Sequence, residues 1–305
     1  MDARPTVTVH VVGNACIDAN WTVPRFPAVG ETLIASSFAE DLGGKGLNQA
    51  VAASRTGAKV RLWAAVGHDD AARRIRARLA EEGIGDERLT ELDEPTDLST
   101  VLLDDAGDNM IVSRVDCAST FDPLGAGGLG GSVAPGDILI MQGNLLPEVT
   151  EACLGHARES GAITILNPSP IARVAIMPWQ LVDWAVLNTG EAEMLTEKPD
   201  PRAAARRLLA MGVRSVVITR GANGAILIDD KDVHSVAAPS ITVIGSAGAG
   251  DVVCGVFAGL LSRGTRPIRA LSVAVAAASL SVSRRGTLSA CPTRREIADL
   301  ETIVH

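Results

Sequence analysis

The sequence is poor in aromatic residues, which make up only 3% of its 305 residues and include no tyrosine. A chain with so few flat side chains offers no stacking platform for the bases of a single-stranded nucleic acid. Basic residues are outnumbered as well, because 28 Lys and Arg stand against 36 Asp and Glu and leave a net charge of −8. We therefore expect no binding to nucleic acid through its phosphates and none to an anionic membrane surface.

Cysteines are few and form no recognisable pattern. The five cysteines include no C-x-x-C pair, and their odd number leaves one over. This spacing indicates reduced thiols rather than a disulfide framework or a zinc site. Long hydrophobic runs are also missing, since the longest apolar stretch, Ala270–Val282, is too short to span a bilayer. Because no targeting segment is recognisable either, we expect a cytoplasmic protein.

The chain does contain a regular alternation of short apolar runs and helical segments. Runs rich in β-branched residues, such as Val216–Thr219, are typical of strands buried on both faces of a mostly parallel sheet. The helical segments end at a glycine, which is the expected left-handed stop. The alternation predicts an α/β fold, a doubly wound and mostly parallel sheet flanked by helices. The predicted strands are Thr6–Val12, Val60–Ala65, Ile138–Met141, Ile163–Leu166, Ala185–Leu187, Val216–Thr219 and Ala225–Ile228, and the predicted helices are Leu47–Arg55, Asp69–Glu82, Pro147–Ser160, Arg202–Met211 and Val252–Arg263.

Two segments interrupt this alternation. Residues 19–41 mix polar and apolar residues with prolines and glycines as turns. Residues 100–115 are interpreted as two strands around Asp104-Asp105-Ala106-Gly107-Asp108, whose Asp/Gly-rich centre predicts a hairpin. We expect both segments to form one discontinuous β lid, and ordinary surface hairpins are the alternative. The α/β core would then consist of residues 1–18, 42–99 and 116–305.

Two glycine-rich segments open helices and offer bare backbone to a ligand. In Leu42–Ala50, the side chains of Lys45 and Asn48 add donors suited to hydroxyl groups. In Gly245–Asp251, small residues place backbone N–H groups at the positive end of a helix, which favours an anion. Asp251 would accept the proton of an alcohol while these dipoles hold the charge of a transferred phosphoryl group. The structural alternatives are a tight turn with a solvated lysine and an acidic residue that only favours the helix dipole.

Four segments, in the right order along the chain, resemble the motifs of the ribokinase family, the phosphofructokinase-B class of sugar kinases. GGKGLNQAVAASRTGA is similar to the first family signature and GSAGAGDVVCGVFAGLL to the second. Between them, Asn188-Thr189-Gly190-Glu191 is similar to the N-x-x-E motif, and Thr219-Arg220-Gly221-Ala222-Asn223-Gly224 to the T-x-G-x-x-G nucleotide loop. The resemblance implies a ribokinase-like fold and an enzyme that uses ATP and Mg²⁺.

The resemblance also implies a role for each matched residue. Asp251 would be the catalytic general base at the anion hole, and Glu191 would hold Mg²⁺ indirectly, through water. The two inserted β segments would be the family lid, which would also join two copies into a homodimer. The anion hole would be formed by Gly248, Ala249 and Gly250, the acceptor site by Asp18, Gly44, Lys45, Asn48 and Asn144, and the nucleotide and phosphate site by Asn188, Glu191, Thr219, Gly221 and Gly224.

At four positions the sequence departs from the family pattern. Cys16 and Asn144 stand where ribokinase proper has Asn and Glu in contact with the sugar, so the resemblance does not identify ribose as the acceptor. Gly245 and Ala290 replace an Asp and a Ser tied to a monovalent cation, so we expect no potassium requirement. The expected function is ATP-dependent phosphorylation of a hydroxymethyl group of a small sugar or polyol. A nucleoside kinase of the same fold and a non-catalytic sugar or nucleotide sensor are the alternatives.

Overall fold

A large sheet with helices on both faces forms the body of the protein. The computed structural model describes residues 7–105, 109–125, 128–171 and 177–304, so the centre of the predicted hairpin, residues 106–108, lies outside the described residues. The strands are β1 (Thr8–Val12), β2 (Cys16–Thr22), β3 (Ser37–Gly43), β4 (Lys59–Val66), β5 (Leu89–Glu91), β6 (Asp97–Leu103), β7 (Asn109–Arg114), β8 (Ile138–Gln142), β9 (Ile163–Asn167), β10 (Trp184–Asn188), β11 (Ser215–Thr219), β12 (Ala225–Ile228) and β13 (Val233–Val236). The α-helices are α1 (Lys45–Arg55), α2 (Asp70–Glu81), α3 (Asp116–Thr120), α4 (Pro147–Glu159), α5 (Thr189–Thr196), α6 (Pro201–Ala210), α7 (Ala249–Ser262), α8 (Pro267–Val282) and α9 (Arg294–Ile303).

The large sheet has nine strands in the order β13-β12-β11-β10-β9-β8-β1-β4-β5. Every neighbouring pair from β11 to β5 is parallel, and β12 and β13 add an antiparallel hairpin at one edge. The chain builds outward from β1 in one direction and from β8 in the other. The junction of β1 and β8 is therefore the switch point of the sheet, and in such sheets ligands bind beyond the carboxyl ends of the strands at this point.

Side chains that alternate along the buried strands divide the core into two clusters. On β8, Ile138 and Ile140 pack on the side of α1, α2, α7, α8 and α9. Leu139 and Met141 on the same strand pack on the side of α3, α4, α5 and α6. Because both faces of the sheet are covered, the predicted doubly wound, mostly parallel fold is confirmed.

Glycine determines where several helices begin and end. The predicted stops at Gly57, Gly83, Gly161 and Gly212 all have positive φ. α1 begins at Lys45, earlier than predicted, because Gly44 with a φ of 92° reverses the chain just before it. α7 likewise begins at Ala249, after Gly248 with a φ of 76°, so the first turn of α7 contains the predicted base.

The longest apolar stretch of the sequence belongs to α8, which packs against α7 in the core. Among the described residues, no helix has the length and apolar character needed to cross a bilayer. A close approach also joins α7 to α1. A Cβ on Gly255 would collide with the backbone of Gln49, and one on Gly259 would lie 2.9 Å from the carbonyl oxygen of Ala53. These two glycines let α7 lie directly on α1.

A second, four-stranded sheet with the order β3-β2-β6-β7 stands apart from the large one. We call it the small sheet. It contains the two segments in which the sequence predicted inserted β structure. Its strands extend beyond the predicted segment 19–41, because β2 begins at Cys16 and β3 ends at Gly43. The β2–β3 ladder places Cys16 opposite Gly43 and Asp18 opposite Asp41. Pairing thus continues to the glycine turn that opens α1, and Asp18 lies on the small sheet.

Candidate active site

The glycine turn before α1 lies against the end of β1, at the switch point of the large sheet. The N–H of Leu47 donates to the carbonyl oxygen of Asn14 at 3.0 Å. A Cβ on Gly44 or Gly46 would lie 2.8 Å or 2.7 Å from that same oxygen, closer than side chains normally approach. Only glycine fits these two positions, and the turn they form presents the first residues of α1 to the carboxyl edge of the sheet.

Asp251 lies in the first turn of α7 and is only 3% exposed. Its Oδ1 accepts a hydrogen bond from Nε2 of Gln49 at 2.9 Å, and its Oδ2 accepts one from Nδ2 of Asn48 at 3.1 Å. The ammonium group of Lys45 lies 3.7 Å from Oδ1. The structure therefore brings the two sequence signatures together around a single carboxylate.

A buried network of amides fixes the orientation of Gln49. Gln142, at the end of β8, donates to Oε1 of Gln49 at 2.8 Å, so the Nε2 group of Gln49 must point the other way, toward Asp251. The same Nε2 lies 3.2 Å from Oδ1 of Asn167, whose own amide group donates to the carbonyl of Val186 at 2.8 Å. Gln49 from α1 thus holds one oxygen of Asp251, and Gln142 from β8 and Asn167 from β9 hold Gln49 in place.

Sequence reasoning missed Gln49, Gln142 and Asn167. For Gln49 a signal was present, because Lys45, Asn48 and Gln49 follow the i, i+3, i+4 spacing that places side chains on one face of a helix. Gln142 and Asn167 are the last residues of parallel strands, and the carboxyl edge of a doubly wound sheet is where ligand-binding residues are expected.

Asp18 extends the site toward the small sheet. A Cβ on Gly43 would collide with its carboxylate, so Asp18 lies directly on the glycine turn. Burial raises the pKa of Asp18, hydrogen bonds from Cys16 and Thr287 lower it, and the nearby charges of Asp41 and Asp251 raise it further. Asp18 thus lies on one side of the glycine turn, and Asp251, which accepts hydrogen bonds from Asn48 and Gln49, lies beside the helix that follows the turn.

Two amide oxygens beside this turn have no hydrogen-bond partner within the described ranges. They are Oδ1 of Asn14 and Oδ1 of Asn48, and both atoms are buried. A buried acceptor without a donor is costly, and a hydroxyl-bearing ligand would supply one. Asn144, the remaining residue predicted for the acceptor site, follows β8 and lines neither the polar nor the apolar cavity near Asp251.

A polar cavity of about 170 Å³ opens beside Asp251. Helix starts carry unpaired N–H groups, so the first turn of α7, with Gly248 as its N-cap, gives this cavity a wall suited to an anion. A Cβ on Gly250 would meet no atom within 4 Å, so this wall is open at that residue. The predicted site residues that line the cavity are Lys45, Asn188, Glu191, Thr219, Gly248, Gly250 and Asp251.

The N-x-x-E motif caps a helix. Oδ1 of Asn188 accepts a hydrogen bond from the N–H of Glu191 at 2.8 Å, and Oε2 of Glu191 accepts one from the N–H of Asn188 at 2.9 Å. This reciprocal capping box begins α5. It also fixes both side chains at the wall of the polar cavity. The sequence did not reveal that the motif acts as a capping box.

The wall around Glu191 fits a magnesium ion held mainly by phosphates and water. No group of three or more His, Cys, Asp or Glu side chains close enough to hold a metal occurs in the described part of the chain. Mg²⁺ commonly keeps several waters and binds one or two carboxylates together with substrate phosphates. Besides Asp251, Glu191 is the carboxylate that lines this polar cavity, and one such carboxylate beside bound phosphates is consistent with that mode.

A larger, mostly apolar cavity of about 380 Å³ adjoins the polar one, and both are lined by Thr219, Ser246 and Gly250. Gly221 and Gly224 form one wall, and a Cβ on Gly224, whose φ is 74°, would collide with the carbonyl of Val236. An apolar cleft that continues into an anion site has the layout expected for a nucleotide. Its other apolar walls, which the sequence motifs did not reveal, are Ile241, Val243, Val253, Val275, Ala278 and Val282.

A doubly wound fold with these two cavities and a buried carboxylate at a helix start has the layout of a phosphotransferase that acts on an alcohol. Residues 8–294 match the pfkB family of carbohydrate kinases. The chain is 30% identical to the ribokinase of Haemophilus influenzae over 304 residues, which cover 98% of this chain and 99% of that protein. The chain therefore belongs to the pfkB family of ATP-dependent carbohydrate kinases, and the enzyme class predicted from the four motifs is confirmed.

Solved structures agree with this assignment. A ribokinase from Thermotoga maritima has a TM-score of 0.87 at 26% identity, covering 97% of this chain and 99% of that chain. An Arabidopsis thaliana ribokinase complexed with ribose and ATP has a TM-score of 0.83 over 98% of this chain and 100% of that one. Its identity of 22% makes it evidence for the fold alone.

Proposed function

We propose that the chain transfers the γ-phosphoryl group of ATP to a hydroxymethyl group of a small sugar or polyol, with Asp251 as the general base. The observation that carries this proposal is the environment of Asp251. Its carboxylate is buried and is oriented by hydrogen bonds from Asn48 and Gln49. It also lines the polar cavity, whose wall includes the start of α7. A base at the edge of an anion site is suited to an alcohol whose oxygen must reach a phosphorus atom.

In the proposed reaction, the hydroxyl oxygen of the acceptor forms a bond to the γ-phosphorus, and its proton passes to Asp251. The bond between the γ-phosphorus and the oxygen that bridges it to the β-phosphorus breaks, and ADP leaves. Backbone N–H groups of Gly248, Ala249 and Gly250 stabilise the charge on the phosphoryl oxygens. Lys45, at the same wall, adds a positive charge.

The nucleotide would occupy both cavities. Its base and ribose would lie in the apolar cleft beside Thr219, Gly221 and Gly224, and its phosphates would lie in the polar cavity. Mg²⁺, when bound to those phosphates, would neutralise part of their charge, and Glu191 with its partner Asn188 would hold the ion through water. The capping box supports this role because it leaves Glu191 little freedom to move away from the cavity wall.

The acceptor is proposed to be uncharged. Asp18, Gly44, Lys45 and Asn48 surround its place, and Asn144 is a further candidate from the loop after β8. The buried carboxylates of Asp18 and Asp251, which flank the glycine turn and the start of α1, would repel an acceptor that already carries a phosphate. Carboxylate and amide oxygens instead accept hydrogen bonds from several hydroxyl groups, as a free sugar or polyol would offer.

The small sheet is proposed to act as a lid over the acceptor and to pair with a second copy of the chain in a homodimer. Apolar side chains remain exposed on the strands of this sheet, and the rings of Trp21 and Phe38 pack against each other, with centroids 4.4 Å apart and planes tilted by 44°. Exposed apolar clusters of this kind mark interaction surfaces. We also propose that the enzyme works in the cytoplasm.

The experiment that tests the proposal measures ATP consumption by the purified protein with free sugars, polyols, sugar phosphates and nucleosides. We expect turnover with a free sugar or polyol. Asp251→Asn should retain acceptor binding, since an amide still forms hydrogen bonds, and should lose roughly 10²–10⁴-fold in turnover, since it cannot take a proton. Asp299→Asn, which changes an exposed carboxylate on α9, is the matched control.

Each outcome of this experiment discriminates between functions. Turnover with nucleosides alone would make the chain a nucleoside kinase. Ligand binding without turnover on any compound would make it a sensor. An Asp251→Asn variant that keeps more than about half of the turnover, against the losses typical of a removed base, would exclude Asp251 as the general base.

A further inference from the structure

Asp41, on β3, connects the small sheet to the loop that follows α8. Its Oδ2 accepts three hydrogen bonds from this loop, from the N–H of Thr287 at 3.0 Å, the N–H of Ser289 at 3.1 Å and the hydroxyl of Ser289 at 2.7 Å. Its Oδ1 accepts the N–H of Leu42 at 2.9 Å. Both oxygens of the carboxylate thus accept hydrogen bonds from backbone N–H groups, and Oδ2 binds the loop that follows α8.

Thr287 is the residue through which this contact reaches the site. Its N–H donates to Asp41, which lies directly opposite Asp18 in the β2–β3 ladder, and hydrogen bonding from its side chain lowers the pKa of Asp18. On its other side Thr287 lies against the start of α7, because a Cβ on Gly248 would lie 3.1 Å from its methyl carbon and 3.4 Å from its carbonyl oxygen. One threonine therefore lies between the Asp18–Asp41 pair of the small sheet and the first residue of the proposed anion hole.

The surroundings of Asp41 are built to accept a carboxylate at this place. Asp18 and Asp41 lie directly opposite each other in the β2–β3 ladder, so their side chains share one face of the small sheet. Like charges in such a pair are destabilising unless other groups compensate, and the three donors of the loop compensate the charge of Asp41. Gly286, with a φ of 103°, leaves the necessary space, because a Cβ there would lie 3.0 Å from Oδ2 of Asp41.

We propose that Asp41 is a positioning residue that sets Thr287 between Asp18 and Gly248 and thereby links the acceptor site to the anion hole. This inference rests on the proposed roles of Asp18 and Gly248. Asp41 acts through Thr287, since its own carboxylate is fully engaged by the loop and by Leu42. Without the carboxylate of Asp41, the N–H groups of Thr287 and Ser289 would bind water instead, and the loop would lose its fixed position against α7.

Kinetics of four variants test the link. Asp41→Ala should raise the KM for the acceptor and lower kcat, each by about tenfold, because small misplacements at a reacting centre are costly. The KM for ATP should stay within about threefold, a change that distant sites rarely exceed, because the loop does not line the apolar cleft. Thr287→Val should have the same effects. The double variant should be no worse than the more impaired single variant, since two residues that act through one contact are not additive.

Glu40→Ala is the matched control. Glu40 is the neighbour of Asp41 on β3, its side chain is on the opposite face of the strand, and it pairs with Arg74 at 2.7 Å. It should leave all three kinetic constants unchanged. Additive effects of Asp41→Ala and Thr287→Val would overturn the inference, and so would an Asp41→Ala variant whose acceptor KM and kcat stay within about twofold of the unmutated enzyme.

Hydrogen exchange gives a readout that needs no acceptor. In Asp41→Ala, peptides that cover residues 286–290 and 248–250 should both exchange faster than in the unmutated protein and in Glu40→Ala. Asp41→Asn keeps an accepting oxygen without the charge and should show a smaller increase, so it serves if the alanine variant does not fold. Unchanged exchange at residues 248–250 in both variants would overturn the link. An unmutated protein that phosphorylates nothing would overturn the proposed function, while exchange would still decide on the link.

Discussion

At the scale of single residues, neighbouring side chains leave the carboxylate of the proposed base, Asp251, little freedom to move. Gln49 and Asn48 donate to different oxygens of Asp251, and Gln142 fixes which end of the Gln49 amide faces the base. A carboxylate oriented in this way needs no reorganisation when the acceptor arrives, which is the kind of preorganisation that lowers a reaction barrier. A single residue also matters at the proposed anion hole, where Gly250 has no side chain to fill the cavity.

Gly250→Val should abolish turnover while the protein still folds. Gly250 is in the first turn of α7, its φ is not positive, and a Cβ there would meet no atom within 4 Å. A valine would therefore extend into the polar cavity and displace the phosphoryl group, with a loss of about 10²-fold or more, as for a lost oxyanion donor. Circular dichroism and ATP turnover measured together check this.

Gly155→Val is the matched control for this prediction, because Gly155 is also helical with open space around its Cβ but lies in α4. It should leave both signals unchanged. Normal turnover in folded Gly250→Val would show that the open wall of the cavity does not bind phosphate.

Potassium should not be required for turnover. Gly245 and Ala290 carry no side-chain oxygen where the family pattern has an Asp and a Ser. Of the two neighbouring serines that could substitute, Ser246 and Ser289, the hydroxyl of Ser289 already donates to Asp41. A cation is held by the number and charge of its oxygen ligands, so this chain would bind it weakly. The measurement is turnover at saturating substrates with potassium exchanged for a bulky organic cation at constant ionic strength. A potassium-dependent rise of about tenfold, or ~1.4 kcal/mol, would contradict the prediction.

At the scale of elements, a buried histidine joins three parts of the large sheet. His10 on β1 accepts a hydrogen bond from the indole N–H of Trp63 on β4 at 3.1 Å. Its other ring nitrogen lies 3.1 Å from the carboxylate of Asp137, just before β8. Because the first nitrogen accepts, the second carries the proton, and the ring is neutral. Burial lowers the pKa of His10, and hydrogen bonding and charge from Asp137 oppose this effect without reversing it.

This histidine should make the protein less stable as the pH falls below about 6.5, the ordinary pKa of histidine. In that range the unfolded chain binds a proton at His10 and the folded chain does not, so the free energy of unfolding decreases until the pH reaches the folded-state pKa. Asp97 acts in the opposite direction, since burial raises its pKa to about 7 and the folded chain then holds a proton that the unfolded chain releases.

Comparison with His10→Gln separates the two contributions, because glutamine does not titrate. Urea unfolding at a series of pH values should show a smaller decrease in stability on acidification for the variant than for the unmutated protein, although the variant is less stable at neutral pH. Parallel curves for the two proteins would mean that His10 is not kept neutral by the fold.

For the whole molecule, the expected motion is closure of the small sheet when the acceptor binds. Asp18 lies on the small sheet and Asp251 on α7, and an acceptor bound between them would draw the two parts together and exclude water from the reaction. Hydrogen exchange should slow in β2, β3, β6 and β7 with saturating acceptor, while α4, on the far face of the large sheet, should not change. Equal protection of the small sheet with and without acceptor would exclude a lid.

The sequence alone determined the features that depend on neighbouring residues. Buried β-branched runs and glycine stops are local patterns, and the strands and helices predicted from them agree with the structure to within a few residues at their ends. The segments that pair in the small sheet were also found, because they break the alternation of the core. The family followed from four motifs in the expected order, since each motif is a short continuous stretch that can be recognised in the sequence alone.

Only the tertiary structure decided which distant side chains meet. Gln142 and Asn167 reach Asp251 through Gln49 because parallel strands end at one edge of the sheet and because glycines let α7 lie on α1. The apolar walls of the proposed nucleotide cleft come from separate elements, among them α7 and α8. The contact of Asp41 with the loop after α8 depends on the register of β3 against β2. Such contacts are set by strand register and helix packing. These bring together residues that lie far apart in the sequence, so no local sequence pattern indicates them.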